Sequence, residues 1–337
     1  MRANFIGLLL YATCVRFYAG PRGSFDQAAL LLALADLAVE RGDQSHKSGS
    51  ALPLPLALIA ERFVSLYWGH VRPFPADVPA NSSPLLSQNL GQNISLLRDI
   101  GAMQQHCPTL AQARASRQWP QLIAQAARLI QLMPLLKLQT LRTEARPFLY
   151  DNSVRDGAIL LKEGVAYHLR HFHVLIQHLV RAAWVRHIRS NQRNSHLLGS
   201  SVDLEEFLFG ARRSQYPRLK EVLLELQHGA CFYCARPVRG ESALDHFIPW
   251  AKYPIDLGHN FVLADRGCNE DKSDLLAEVR YREVWSERNV VNGEVLAEAF
   301  SDDALNHDVV ASASIADWAY ALARESGTAL WAPAVLD

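Results

Sequence analysis

Three of the five cysteines in this 337-residue chain fall between positions 231 and 268, and their spacing constrains the fold more than any other feature. "CFYCARPV" sets Cys231 and Cys234 on a predicted tight turn, and Asp265 and Cys268 repeat the same spacing about thirty residues later. Two ligands three apart on a turn point their side chains at one ion, and two such turns complete a tetrahedron. Thiolates suit zinc, so Cys231, Cys234 and Cys268 are predicted to hold a structural zinc ion. The fourth position is open, with Asp265 as its candidate. A redox Cys-x-x-Cys is the rival reading, but it normally precedes a helix. An odd number of cysteines scattered along a long chain does not suit a secreted disulfide framework. Metal here would tie together a segment with little apolar core of its own.

The same segment carries a second constellation, "ALDHFIPWAKYPIDLGHNFVLADRGCNEDKSD". Asp245 and His246 close one predicted strand. A long loop leads to Asn260 and to a short apolar strand, "FVLA". The second half of the knuckle follows, with a helix predicted from about Asn269. The order is strand, strand, helix. It places Asp245 and His246 at a strand end and Asn269 and Lys272 on the first helical turn, where they can converge on one small site.

Residues 231–274 resemble the HNH endonucleases of the ββα-metal superfamily. The resemblance rests on Cys-x-x-Cys, on Asp-His-x-x-Pro, on an Asn before an apolar strand and on Cys-Asn-x-x-Lys. It implies that His246 is the general base, that Asp245 and Asn269 hold a catalytic divalent ion, and that Asn260 orients the His246 ring. It also implies that Lys272 contacts a phosphate. Asn269 corresponds to a known variant of the last motif residue, whereas Asp265 stands where many relatives carry Cys or His. The layout, a long helical front before this segment, is similar to that of nucleases of bacterial anti-phage systems, the Zorya nuclease subunit among them. Restriction-like and mobile-element nucleases are the open alternatives.

The chemistry also stands without the family. Hydrolysis of a phosphodiester needs an activated water, a sink for negative charge and help for the leaving oxygen. An imidazole titrates close to neutral pH, which suits it to take a proton from water. A hard ion, Mg²⁺ or alternatively Mn²⁺ or Ni²⁺, accepts a carboxylate and an amide oxygen and keeps sites for water and substrate. The resemblance implies products with a 5′-phosphate and a 3′-hydroxyl. One such site cuts one strand. A catalytically inactive zinc knuckle that binds nucleic acid or acts as a scaffold is the alternative.

The remainder reads as mainly α. From Ser24 to Leu141 the sequence is rich in Ala and Leu at helical spacing, with polar or Pro/Gly-containing breaks such as "RGDQSHKSGS" and "RPFPADVPANSSP". "RPFLYDNSVRDGAILLKEG" reads as a short hairpin, and a long helix is expected from Val165 to Ser190. Its predicted apolar stripe is Phe172, Leu175, Ile176, Leu179 and Ala183. His178, Arg181 and Arg189 fall on the other side. Asp203 is a candidate N-cap for a helix reaching Phe209. Four segments are expected: a helical domain (1–142), a connecting and DNA-binding region (143–222), an HNH domain (223–290) and a C-terminal helical tail packing on the core (291–337).

The chain is formally neutral, yet Met1–Val202 carries 21 Lys and Arg against 11 Asp and Glu, and the remainder carries 13 against 23. A basic first half can bind a polyanion such as double-stranded DNA, or the two halves can attract each other. Arg181, Arg189, Arg212, Arg213 and Arg266 are candidate phosphate contacts, with Arg218 and Lys220 beside them. The run "FIGLLLYATCV" is too short to span a bilayer and is expected as a buried helix, with a cleaved signal or anchor as the alternative. The expected setting is the cytoplasm, with no membrane and with defence-system proteins as possible partners.

Overall fold

Ala and Leu fill residues 26–40 so densely that hardly any polar face is left for water, and a helix apolar all round belongs inside a bundle. In the computed structural model this stretch is α1, Phe25–Arg41, buried throughout from Asp26 to Glu40. The structure describes residues 25–42, 50–75, 83–88, 95–141, 144–198, 202–210, 216–238 and 242–334. The apolar run from Phe5 to Val15, Arg212 and Arg213 lie outside them. The chain is mainly helical and divides into two compact units, Met1–Gly210 and Ala211–Asp337. Among the described residues no helix is long and apolar enough to cross a membrane.

In the first unit α1 packs against α2 (Leu56–Trp68), α6 (Pro134–Leu138), α7 (Val165–His171) and α8 (His173–Ser190). Between α2 and α6 come α3 (Ser95–His106), α4 (Leu110–Ala115) and α5 (Trp119–Leu132). Thr109 and Gln112 form a capping box that starts α4. Three carboxylates on α1 are buried and each is met: Asp26 Oδ1 accepts from the Tyr67 hydroxyl at 2.9 Å. Asp36 Oδ1 accepts from His173 Nε2 at 2.8 Å and from Gln177 Nε2 at 2.7 Å, and Glu40 pairs with Arg62.

The expected hairpin at residues 146–164 is only partly present. Isolated bridges join Arg155 to Ala158 and Tyr150 to Leu161. The main partner of β4 (Ala158–Leu161) is β1 (Leu52–Pro55), antiparallel with Leu52 opposite Leu161. Leu52 and Leu54 point inward while Pro53 and Pro55 face out, so a Pro-rich tetrapeptide serves as a strand without burying a proline. A separate small ribbon pairs β2 (Thr140–Leu141) with β3 (Glu144–Ala145).

The long helix expected from Val165 to Ser190 is broken at Phe172, and its buried face differs from the predicted stripe. His173, Ile176, Gln177, Val180, Ala183, Trp184, Val185 and Ile188 are buried, and Leu175 is exposed. A count of apolar residues misplaced the face because His173 and Gln177 turn inward to reach Asp36. Asp203 caps α9 (Leu204–Phe209) as expected, accepting from the amides of Glu205 and Glu206.

In the second unit α10 (Pro217–Leu226) precedes β5 (Ser242–His246), β6 (Phe261–Asp265) and α11 (Arg266–Lys272). β5 and β6 run antiparallel, with Asp245 opposite Val262 and His246 opposite Phe261, and α11 packs against both. The helices α12 (Val279–Val291), α13 (Gly293–Asp302) and α14 (Val309–Ser326) complete the unit. Leu219, Val222 and Leu223 of α10 meet Phe261 and Leu263 of β6 and Leu296 and Phe300 of α13 in one apolar core. The end of α12 pins the turn before β6: the His259 carbonyl accepts from Trp285, Arg288 and Asn289. The tail helix α14 packs on α12 and on that turn.

Candidate metal centre and active site

The knuckle is assembled by docking a turn onto β6. Phe232 N donates to the Leu263 carbonyl at 2.9 Å, and the Gln227 carboxamide bonds both backbone groups of Leu263. Ala235 takes a φ of +57° as the chain turns back. Cys231 and Cys234 thereby face the end of β6, where Asp265 caps α11 and Cys268 sits in its first turn. One ligand atom from each of Cys231, Cys234, Asp265 and Cys268 lies within 4.8 Å of the others. Ligands around a tetrahedral zinc are about 3.5–3.8 Å apart at ordinary bond lengths. Three sulfurs and one carboxylate gathered this closely could hold a metal ion, with Asp265 at the fourth position that the sequence left open. Among the described residues this is the one cluster of three or more such groups able to hold a metal.

Burial, with the Asp265 hydrogen bond behind it, pushes the Cys231 thiol up to about 11, and burial raises Cys268 further still. Burial works against the Asp265 carboxylate, but the hydrogen bonds it accepts from Cys231, Cys268 and Cys234 outweigh this and hold it below the usual carboxylate range. A cation must displace protons to bind here, so loading is coupled to pH.

The predicted chemical residues are all in the second unit, but several do different work from that expected. Asp245 is 7% exposed; its Oδ2 accepts from the Tyr233 hydroxyl at 2.5 Å and lies 2.9 Å from Lys272 Nζ. Its Oδ1 makes no hydrogen bond among the described residues. Lys272 is not a surface phosphate contact. It is wholly buried and also donates to the His246 carbonyl at 2.9 Å. The reason is the helix start: α11 begins at Arg266, not near Asn269, so Lys272 closes the helix under the hairpin. The amino end of α11 accordingly faces the cysteine cluster, with its Cys268 amide taken by Asp265.

Asn260 does not touch the His246 ring. Its side chain accepts from Ile248 N at 2.8 Å and donates to Ile248 O at 2.9 Å, clamping the backbone two residues past His246. The ring is bonded by Asp256, a residue the sequence did not single out, with Nε2 and Oδ1 2.7 Å apart. It lies against Phe261, 4.5 Å between centroids, and Trp250, 5.6 Å. No signal in the motif marked Asp256, because it sits in the long loop between the strands. Asn269 lies on α11, half-buried, with no side-chain hydrogen bond among the described residues.

The candidate phosphate contacts divide. Arg181 is half-buried with its guanidinium over the Phe209 ring, and burial lowers its pKa, so it is a packing residue. Arg189 is exposed on α8, as are Arg186 and Arg193 nearby. Arg266 is exposed and paired with Glu270 one turn on. Arg218 pairs with Glu221, and Lys220 donates to the Ser242 carbonyl.

No protein-family model, no curated protein and no solved structure matches this chain. The functional reading therefore rests on the residues and their arrangement.

Proposed function

We propose that the chain is a metal-dependent DNA endonuclease or nickase of the HNH type. The observation that carries the reading is the order of the second unit. An Asp-His pair ends the first strand of an antiparallel pair, a short helix bearing Asn269 follows the second, and a four-ligand cluster holds the strand-to-helix junction. The cluster fits structural zinc. Asp245 Oδ1 and the Asn269 amide oxygen are hard, uncommitted donors of the kind that Mg²⁺ or Mn²⁺ takes, so these two would hold the catalytic ion. When bound, that ion neutralises charge on the non-bridging and leaving oxygens.

In the proposed reaction His246 takes a proton from a water molecule. The water oxygen bonds to phosphorus as the P–O3′ bond breaks, and the departing oxygen takes a proton from solvent. The products are a 5′-phosphate and a 3′-hydroxyl, and the imidazolium returns its proton to water. Asn260 and Lys272 serve the site through the backbone: one clamps Ile248, the other holds the His246 carbonyl. The exposed arginines of α8 support binding to the phosphates of a duplex. A role in defence against foreign DNA is proposed from the resemblance of layout alone, a long helical front before this segment.

One observation favours the binding-module reading, namely that Tyr233 and Lys272 already occupy one oxygen of Asp245. A nicking assay on supercoiled plasmid decides between the two. Wild type with Mg²⁺, Mn²⁺ or Ni²⁺ is expected to give open circles, and His246→Ala to bind DNA without cutting it. Absence of nicking by wild type with every ion, while DNA is still bound, would leave the binding module.

A further inference from the structure

We infer that Asp256 is a positioning residue for His246, fixing the ring as the tautomer with its proton on Nε2 and its lone pair on Nδ1. The functional meaning of this rests on the nuclease reading, whereas the tautomer follows from the hydrogen-bond geometry alone.

An ionised carboxylate only accepts, and a neutral imidazole carries a single N–H. With Asp256 Oδ1 2.7 Å from Nε2, the proton belongs on Nε2. Nδ1 makes no hydrogen bond among the described residues, and the side chain is 21% exposed. Nδ1 is then the nitrogen able to take a proton from water. The same division of labour is known where a buried Asp orients a catalytic His.

Asp256 is itself held. Its Oδ2 accepts from the Tyr216 hydroxyl at 3.3 Å, and Tyr216 stands at the start of α10 with its ring 5.5 Å from that of Phe261. The backbone around it is fixed by buried Tyr253 and Leu257 and by a hydrogen bond from Gly258 N to the Asn306 carbonyl. Trp250 and Phe261 flank the imidazole and resist its rotation. Tyr216, Asp256 and His246 thus form a chain from the first helix of the unit to the base. Asp245, adjacent in sequence, belongs to a separate network with Tyr233 and Lys272.

The test compares wild type, Asp256→Asn, Asp256→Glu and Tyr216→Phe in two arms. In the first, nicking is measured as kcat and KM. Asp256→Asn is expected to lower kcat by about 10²–10⁴-fold with KM and DNA affinity unchanged, since an amide can offer its N–H to Nε2 and hold the wrong tautomer. Asp256→Glu should recover part of the loss, and Tyr216→Phe should cost a few-fold. In the second arm the ¹⁵N shifts of the His246 ring are read at a pH where it is neutral, assigned by their absence in His246→Gln. Wild type should show the Nε2–H form, and Asp256→Asn should lose it. Wild-type kcat in Asp256→Asn, or an Nδ1–H ring in wild type, would overturn the inference. If wild type does not nick DNA, the nuclease reading falls and the spectra alone decide whether Asp256 sets the tautomer. If Asp256→Asn fails to fold, the wild-type spectrum and Asp256→Glu decide.

Discussion

Lys272 Nζ lies 2.9 Å from Asp245 Oδ2 and 2.9 Å from the His246 carbonyl oxygen, and none of the Lys272 side chain reaches the surface. A buried ammonium and carboxylate are each costly to desolvate, and removing one partner strands the other. Burial lowers the Lys272 pKa, while the Asp245 charge opposes that shift. The helix end and the strand end that carry the proposed chemistry are therefore joined by one ion pair.

Lys272→Met is expected to destabilise the second unit by about 3–5 kcal/mol, because Asp245 would be left as a buried, unpaired charge. Adding Asp245→Asn should recover much of the loss. Urea unfolding of the two variants and of wild type measures both. If the single variant unfolds at the wild-type midpoint, the pair is not structural.

Removal of the metal, by chelation or by Cys268→Ser, is expected to loosen the junction of β6 and α11, since the cluster supplies binding energy that a short ββα segment lacks. Purified wild type should contain about one zinc per chain for one tetrahedral site, and Cys268→Ser should contain less. Hydrogen exchange should quicken at residues 261–272 and remain unchanged in the first unit. Elemental analysis and exchange mass spectrometry read the two outcomes.

Gly258→Ala tests the tight turn before β6. A Cβ there would lie 2.4 Å from the Phe300 ring, which is itself buried in the core. Overpacking of this kind costs about 1–3 kcal/mol. Denaturation should show the loss, and pairing the change with Phe300→Leu should reduce it.

The first unit should lose stability in mild acid through His70. Its Nε2 bonds the Leu208 carbonyl at 3.1 Å, and burial pushes its pKa from 6.5 down to about 3. The folded state then binds fewer protons than the unfolded chain. This contribution is fully present above pH 6.5 and is lost as pH falls from 6.5 toward 3. The slope is at most about 1.4 kcal/mol per pH unit. His70→Gln should flatten the stability profile across that window, and unchanged curvature would remove His70 as the cause.

Where the physics is local, the sequence was informative. Cys231, Cys234 and Cys268 could be assigned from spacing because two turns fix the ligand directions before any long-range packing is known. The Ala- and Leu-rich composition of α1 marked it as helical, and Asp203 was readable as a cap because capping involves amides two and three residues away. The strand, strand, helix order around Asp245 and His246 was likewise legible.

Tertiary structure alone decided the partners of buried polar groups. His173 and Gln177 turn inward for Asp36, and so moved the buried face of α8 away from its apolar count. Asn260 bonds Ile248, Lys272 bonds Asp245, and Asp256 takes the His246 ring, although the resemblance implied other tasks for the first two and none for the third. Hydrophobic periodicity records where the apolar side chains of an element fall. It does not record which distant carboxylate, amide or carbonyl will satisfy a polar group beside them, because that choice depends on how separate elements meet.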